Sequence, residues 1–252
     1  NDDYLTSDEF FLFVGYRNYS GDNYRKEAEY GKPYNEYLNR YTDTSIYWLT
    51  YDYGSDGLRM ESSTSISIYT YEIDFYDELV HDETNIWFDF PYDVQIRREF
   101  PEWNENKTWT LGWGASPNLN INNLISNKIA KCYWKVLSRS ATTIINAHQV
   151  GIKVNNSDYV ATATFDRYKH KVVEGEFNSN LLKNGSNSFT LNVLNGTGIF
   201  HDWFELEYPR KLVLQDTIIF SFRNNAIYNQ NYKIKILKNT SNNFVLIKNN
   251  PQ

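Results

Sequence analysis

The chain has 252 residues, which is enough for one large or two ordinary domains with an apolar core. It is 41% hydrophobic and contains 21 Tyr, 15 Phe and 7 Trp, and this apolar area argues against disorder because it offsets the entropy of ordering the chain. The net charge is −6, and no apolar run approaches the roughly 18 residues of a membrane helix. We therefore expect a globular chain without a membrane span.

The charge is distributed unevenly along the chain. Residues 1–125 contain 9 Lys and Arg against 23 Asp and Glu, and residues 126–252 contain the remaining 16 and 8. A composition shift of this kind predicts two modules. The acidic half argues against a nucleic-acid partner, because phosphate binding depends on Lys and Arg.

Strand patterns dominate from residue 63 onward. Apolar and polar residues alternate with period two, β-branched and aromatic residues are frequent, and Asn/Gly turns separate the runs. Helical patterns are scarce: residues 22–40 suit a short helix or a loop, and the acidic segment 74–82 suits a helical turn or two. The pattern predicts an all-β sandwich or jelly roll, with strands at residues 63–73, 144–154, 188–194, 217–222, 232–237 and 244–248.

The boundary between the two modules falls between residues 75 and 105. The best linker candidates are residues 89–93 and 101–107, which contain Pro and several acidic residues. We place an acidic N-terminal β domain at 1–100 and a jelly-roll β-sandwich at 101–252.

The residues that usually carry catalysis are sparse. The single cysteine, Cys132, excludes an intrachain disulfide framework and a four-cysteine zinc site, and its alternating surroundings predict a buried structural thiol. The histidines at 81, 148, 170 and 201 have no metal-ligand spacing, and no nucleophile elbow, P-loop or GxGxxG is present. We expect no enzymatic activity and no organic cofactor in this chain.

Two further segments are ligand candidates. Asp52 and Asp56 flank a glycine-containing turn and could bind Ca²⁺, although the EF-hand register and its bidentate Glu are missing. Trp103, Trp109 and Trp113 lie close together in sequence. Exposed rings of this kind stack on sugars, whereas buried ones are simply core. The string HDE at 81–83 suits a solvated turn better than a cation site.

Several unusual strings occur together: YTDTSIYWLT at 41–50, HDETN at 81–85, HQVGIKVN at 148–155, LLKNGSN at 181–187 and DWFELEYPR at 202–210. This combination resembles the region ahead of the catalytic domain in family C25 (gingipain-like) cysteine peptidases and PorU-like surface proteins of type IX secretion. The last string is the most specific, being similar to the family pattern D-W-(I/F)-E-(L/V)-x-Y-P-R. The resemblance covers the chain from about residue 3 to its end.

The resemblance implies an N-terminal β domain followed by a galactose-binding-like jelly roll, both upstream of a caspase-like domain. The catalytic His and Cys would belong to that domain and would follow Gln252. The first residue, Asn1, and the ending at Gln252 agree with a processed or excised segment of a longer protein. The resemblance also implies that the chain comes from a bacterial protein that is secreted or lies at the cell surface.

The string at 202–210 also has a direct physical interpretation. Alternation places Phe204, Leu206 and Tyr208 on one face of a strand, and Trp203, Glu205 and Glu207 on the other. Pro209 lacks an amide donor and is expected to end or edge the strand, and Arg210 is expected to neutralise one of the two carboxylates. We predict a structural motif made of Asp202, Trp203, Glu205, Tyr208, Pro209 and Arg210.

The resulting functional prediction is a non-catalytic accessory or pro-region that packs on a peptidase domain or positions substrate protein beside it. The opposite charges of the two halves suit an internal interface. The alternatives are a carbohydrate-binding module, which would use the tryptophans, and a structural subunit of a cell-surface assembly. A fold alone does not choose among them.

Overall fold

The computed structural model describes Ile46 and residues 71–84, 86–89, 108–110, 116–138, 140, 144–166, 169–214 and 232–238. Within these ranges the regular structure is β-strand, apart from one turn of 3-10 helix at Ser179–Leu181. The strands are β1 (Tyr71–Ile73), β2 (Phe75–Glu83), β3 (Trp87–Asp89), β4 (Thr108–Thr110), β5 (Asn118–Ile121), β6 (Ile129–Ser138), β7 (His148–Val154), β8 (Tyr159–Phe165), β9 (His170–Asn178), β10 (Gly185–Asn195), β11 (Ile199–Lys211), β12 (Val213–Leu214), β13 (Tyr232–Ile234) and β14 (Leu237–Lys238).

Two four-stranded antiparallel sheets form the body of the molecule, in the orders β2-β11-β6-β9 and β5-β10-β7-β8. When these eight strands are taken in chain order, one sheet contains the first, eighth, third and sixth, and the other the second, seventh, fourth and fifth. This interleaving is the jelly-roll arrangement. The predicted all-β sandwich is confirmed. Three short pairs, β1-β13, β12-β14 and β3-β4, complete the described strands.

The core lies between the two sheets, because each strand turns alternate residues inward. On β6, Cys132, Trp134 and Val136 are all at most 1% exposed. The ring of Phe204 on β11 lies 4.9 Å from that of Trp134 and 4.6 Å from that of Phe189 on β10, so it connects both sheets. Burying such side chains is the main favourable term in folding.

Cys132 is a buried free thiol, as predicted. Burial raises its pKa to about 12, and a backbone hydrogen bond from Gly175 offsets this only in part. A Cβ atom at Gly175 would lie 2.9 Å from the Cβ of Ala161 and 3.1 Å from the sulfur of Cys132. The glycine is therefore what lets β8 approach β9 closely at this point.

The turn that leads into β10 is built around an asparagine. Asn187 is fully buried, and its side-chain amide donates to the carbonyl oxygens of Lys183 and Gly185, at 2.7 and 2.9 Å. Its side-chain oxygen accepts from the backbone N–H of Lys183 and from the amide of Asn155. Gly185 has a φ of +98°, a backbone conformation that glycine adopts without strain. The string at 181–187 thus closes one end of the sandwich.

Several predicted elements differ from the structure. The acidic segment 74–82, expected to hold helical turns, is most of strand β2, which pairs with β11 over nine residues. Two of its ionisable side chains have cross-strand partners on β11: Glu78 pairs with Arg210, and His81 with Glu205. The predicted strand 144–154 begins only at His148, since a turn precedes it, and 232–237 divides into β13 and β14.

Some predictions fall on residues that the structure does not describe. The predicted strands 217–222 and 244–248 lie outside the described residues, as does most of 63–73. The division at residue 100 stays a prediction; β2, which precedes it, belongs to the same sheet as β6, β9 and β11. The described part of the chain contains no helix with the length and hydropathy of a membrane span.

Candidate functional site

The string DWFELEYPR lies on β11, which is flanked by β2 on one side and β6 on the other. The register against β6 shifts between His201 and Phe204, which is a β-bulge. Beyond the bulge, Phe204, Leu206 and Tyr208 enter the core. The intervening residues face the opposite side of the sheet, yet Trp203 and Glu205 are only 3% and 0% exposed.

A histidine bridges two carboxylates on that opposite side. Nδ1 of His81 lies 2.8 Å from Glu205 Oε1, and Nε2 lies 2.9 Å from Glu83 Oε2. Burial lowers the pKa of His81, but hydrogen bonds and charge from Glu205 and Glu83 outweigh burial and raise it. The solvated turn expected at 81–83 is therefore wrong: the segment is the end of β2, and its histidine is enclosed between two carboxylates beside the ring of Trp203.

A second buried ion pair lies at the bulge. Nζ of Lys135 on β6 is 2.7 Å from Oδ2 of Asp202, and the two side chains are 3% and 6% exposed. Two charges taken out of water in this way are stable only as a pair, so removing one partner is far more costly than the pair is favourable. The carboxylate of Asp202 therefore has a structural role, which is to neutralise the buried ammonium of Lys135.

These charges are arranged for pairing rather than for catalysis. Both ring nitrogens of His81 are engaged by carboxylates, so the ring has no free lone pair to act as a base. Among the described residues no three His, Cys, Asp or Glu side chains form a group that could hold a metal ion. The cluster fixes the register of β2 and β6 against β11.

The end of the string departs from the prediction in two respects. Pro209 does not end the strand: β11 continues to Lys211 and stays paired with β2, whereas its pairing with β6 stops at Glu207, and the Pro209 carbonyl accepts from the N–H of Ile125 at 2.9 Å. Arg210 pairs with Glu78 of β2 at 3.2 Å, and not with Glu205 or Glu207. The reason is alternation, which puts Arg210 on the other face of the strand from those two carboxylates.

One hydrogen bond joins a serine to a histidine. Ser138 Oγ lies 2.9 Å from His148 Nε2, and both residues are at most 1% exposed. Burial lowers the pKa of His148, although the charge of Asp166 opposes this. A substrate could not reach a serine so enclosed, and its oxygen also accepts from the N–H of Ser140. The pair joins the start of β7 to the end of β6.

The structure describes only one of the residues that the sequence predicts as ligand contacts. The backbone of Trp109 lies on β4 opposite Phe88 of β3, and the described part of the structure does not include its side chain. Trp103, Trp113, Asp52 and Asp56 lie outside the described residues altogether. The tryptophan platform for sugars and the calcium site therefore stay predictions.

A different surface has a distinctive composition. We call the solvent-facing side of the sheet β5-β10-β7-β8 the polar face. Its outward positions are Ser, Thr, Asn or Gln, with four exceptions: Gly151 and Lys153 on β7, Tyr159 on β8 and Leu194 on β10. Along these four strands no Asp or Glu points outward, although the chain contains 31 of them. Composition and alternation could have revealed this surface in the sequence.

Tyr159 is the aromatic centre of the polar face and is 41% exposed. Its ring lies over Gly151, where a Cβ atom would come within 2.6 Å of the ring carbon Cδ1. The amide of Asn192 donates to its hydroxyl at 3.2 Å, and the ammonium of Lys153 lies 4.7 Å from the ring centroid. Glycine thus creates the depression in which the ring sits, and Lys153 on the adjacent strand β7 and Asn192 on β10, the next strand of the sheet, fix it.

Comparison with known proteins gives distant structural likenesses only. No protein-family model matches the chain, and no curated protein matches it either. The dimeric latent PorU from Porphyromonas gingivalis is similar over 68% of this chain, with 14% identity and a TM-score of 0.46; the match covers 16% of the PorU chain. The C-terminal domain of EclA, a sugar-binding protein, is similar over 71% of this chain and 99% of its own length, with 11% identity and a TM-score of 0.26.

Proposed function

We propose that this chain is the non-catalytic accessory region of a secreted, C25-peptidase-like bacterial surface protein. Its jelly roll would pack on a caspase-like domain elsewhere in that protein, or position substrate protein beside it. The observation that supports this most is the structural role of residues 202–210. Its hydrophobic residues fill the core, and Asp202 and Glu205 form buried ion pairs, so the motif builds a scaffold.

The two buried candidate nucleophiles support a scaffold role as well. Cys132 is fully buried and its pKa is raised to about 12, so almost no reactive thiolate exists at neutral pH. Ser138 is fully buried too. A cysteine peptidase built on this chain would need its nucleophile outside these strands.

Cysteine labelling of the native polypeptide tests this proposal. The polypeptide that contains this sequence is isolated from its source, treated under native conditions with an iodoacetamide probe, and mapped by peptide mass spectrometry. We expect a labelled cysteine in a segment outside residues 1–252 and an unlabelled Cys132, which becomes labelled only after denaturation. A native polypeptide with no reactive cysteine would contradict the accessory role.

A carbohydrate-binding function is the second candidate, and the polar face favours it. Hydroxyl and amide side chains exchange hydrogen bonds with sugar hydroxyls, and an exposed ring packs against the C–H side of a sugar. Surface variants of Tyr159 test this candidate separately from the first. The third alternative, a structural assembly subunit, stays a prediction.

A further inference from the structure

The polar face has one charged group, the ammonium of Lys153. Among the described residues no carboxylate pairs with it. Its Nζ lies over the ring of Tyr159, 4.7 Å from the ring centroid. A cation on an aromatic ring keeps its full charge and its capacity to donate hydrogen bonds. Its four strands therefore contribute one positive and no negative side chain to this face, in a chain whose net charge is −6.

The chemistry of the face restricts what can bind there. Nucleic acids and anionic membranes require several cations, and this face has one. The centre of a protein–protein interface is enriched in aromatic and apolar side chains, whereas the strands here present mainly Ser, Thr, Asn and Gln. A hydroxyl-rich ligand with a single negative charge per unit satisfies the amides, the hydroxyls, the ring and the ammonium together.

We propose that the polar face binds a carboxylate-bearing saccharide, with a sugar ring against Tyr159 and the sugar carboxylate paired with Lys153. Asn192 on β10 reaches across β7 to hold the Tyr159 hydroxyl, so the ring is positioned before the ligand arrives. Gly151 is required beneath the ring, because a Cβ there would displace it. This inference rests on the carbohydrate-binding candidate and adds to it a location and a ligand class.

Calorimetric titration of the purified chain with oligogalacturonate tests the proposal, with the methyl-esterified oligosaccharide as the uncharged counterpart. We expect the ester to bind about tenfold more weakly, which is the effect of one charge-assisted hydrogen bond. Lys153→Gln should abolish this difference, and Tyr159→Ala should weaken both ligands. Lys131→Gln, on the other sheet, is the matched control and should behave as the unaltered chain. Tyr159→Phe keeps the ring and should retain most of the affinity.

Several results would overturn the proposal. Equal binding of the acid and its ester would remove the role of Lys153 while leaving a neutral carbohydrate-binding function in place. Binding of dextran sulfate without binding of oligogalacturonate would exclude a carboxylated ligand. Absence of saccharide binding, or binding that Tyr159→Ala does not change in a variant that unfolds at the same temperature as the unaltered chain, would exclude this face as the site. The accessory role would survive all three results, because cysteine labelling tests it independently.

Discussion

Acid should destabilise this protein through His201. The ring lies at the bulge of β11, is 4% exposed, and meets the edge of the Trp134 ring at a centroid distance of 5.4 Å. Within the part of the chain that the structure describes, its Nδ1 has no hydrogen-bond partner. Burial lowers the pKa of His201 from 6.5 to about 4. The unfolded chain therefore takes up this proton at a higher pH than the folded chain does, so the stabilisation is complete above pH 6.5 and is lost between pH 6.5 and pH 4.

The magnitude follows from the two pKa values. At pH 4.5 the unfolded histidine is almost fully protonated and the folded one largely neutral, which lowers the free energy of unfolding by about 2.5 kcal/mol relative to pH 7.5. Urea unfolding, followed by tryptophan fluorescence at both pH values, measures this in the unaltered chain and in His201→Gln. The glutamine does not titrate, so comparing the two pH dependences cancels any direct cost of the substitution. Equal losses of stability on acidification in the unaltered chain and the variant would show that His201 is not the source of the acid sensitivity.

Two further predictions concern the buried charges, and the same urea titrations check both. Glu205→Gln should lower the free energy of unfolding by about 3 kcal/mol, because His81 loses a buried counter-charge. It should also flatten the loss of stability that the unaltered chain shows above pH 6.5, where the raised pKa of His81 makes deprotonation favour the unfolded state; an unchanged alkaline slope would contradict this. Lys135→Met should cost about 3 kcal/mol because Asp202 stays buried without its ammonium, whereas Lys131→Met, at a pair exposed to water, should cost under about 1 kcal/mol. Equal losses for the two lysine variants would argue against a buried pair.

The sandwich itself could be predicted from the sequence because its central strands follow a simple pattern. β7 alternates throughout and β10 does so up to Val193, and the glycine and asparagine residues between strands supply the turns. The sequence pattern predicted helical turns instead of strand β2 because the acidic residues of this segment suggest solvent exposure. Its histidine is neutralised by Glu205, which lies 124 residues away in the chain. A partner this distant in the chain cannot be identified from the local sequence.

The candidate surfaces show the same limit. In the sequence Lys153 lies between the apolar residues Ile152 and Val154, as an outward strand position would, but only strand pairing shows that it shares a face with Tyr159 and Asn192. The wrong partner for Arg210 has a different origin. Its position relative to Glu205 fixes opposite faces by alternation alone, so the strand period already excluded that pairing. Long-range pairing requires the structure, whereas face assignment within one strand does not.

The central claim is that this chain serves a catalytic domain in the same protein. Intact mass measurement and C-terminal sequencing of the native polypeptide test it most directly. We expect a polypeptide that extends several hundred residues beyond Gln252 and contains both a histidine and a cysteine in that extension. A native polypeptide that ends at or near Gln252 would contradict the accessory role and leave saccharide binding at Tyr159 as the function to measure next.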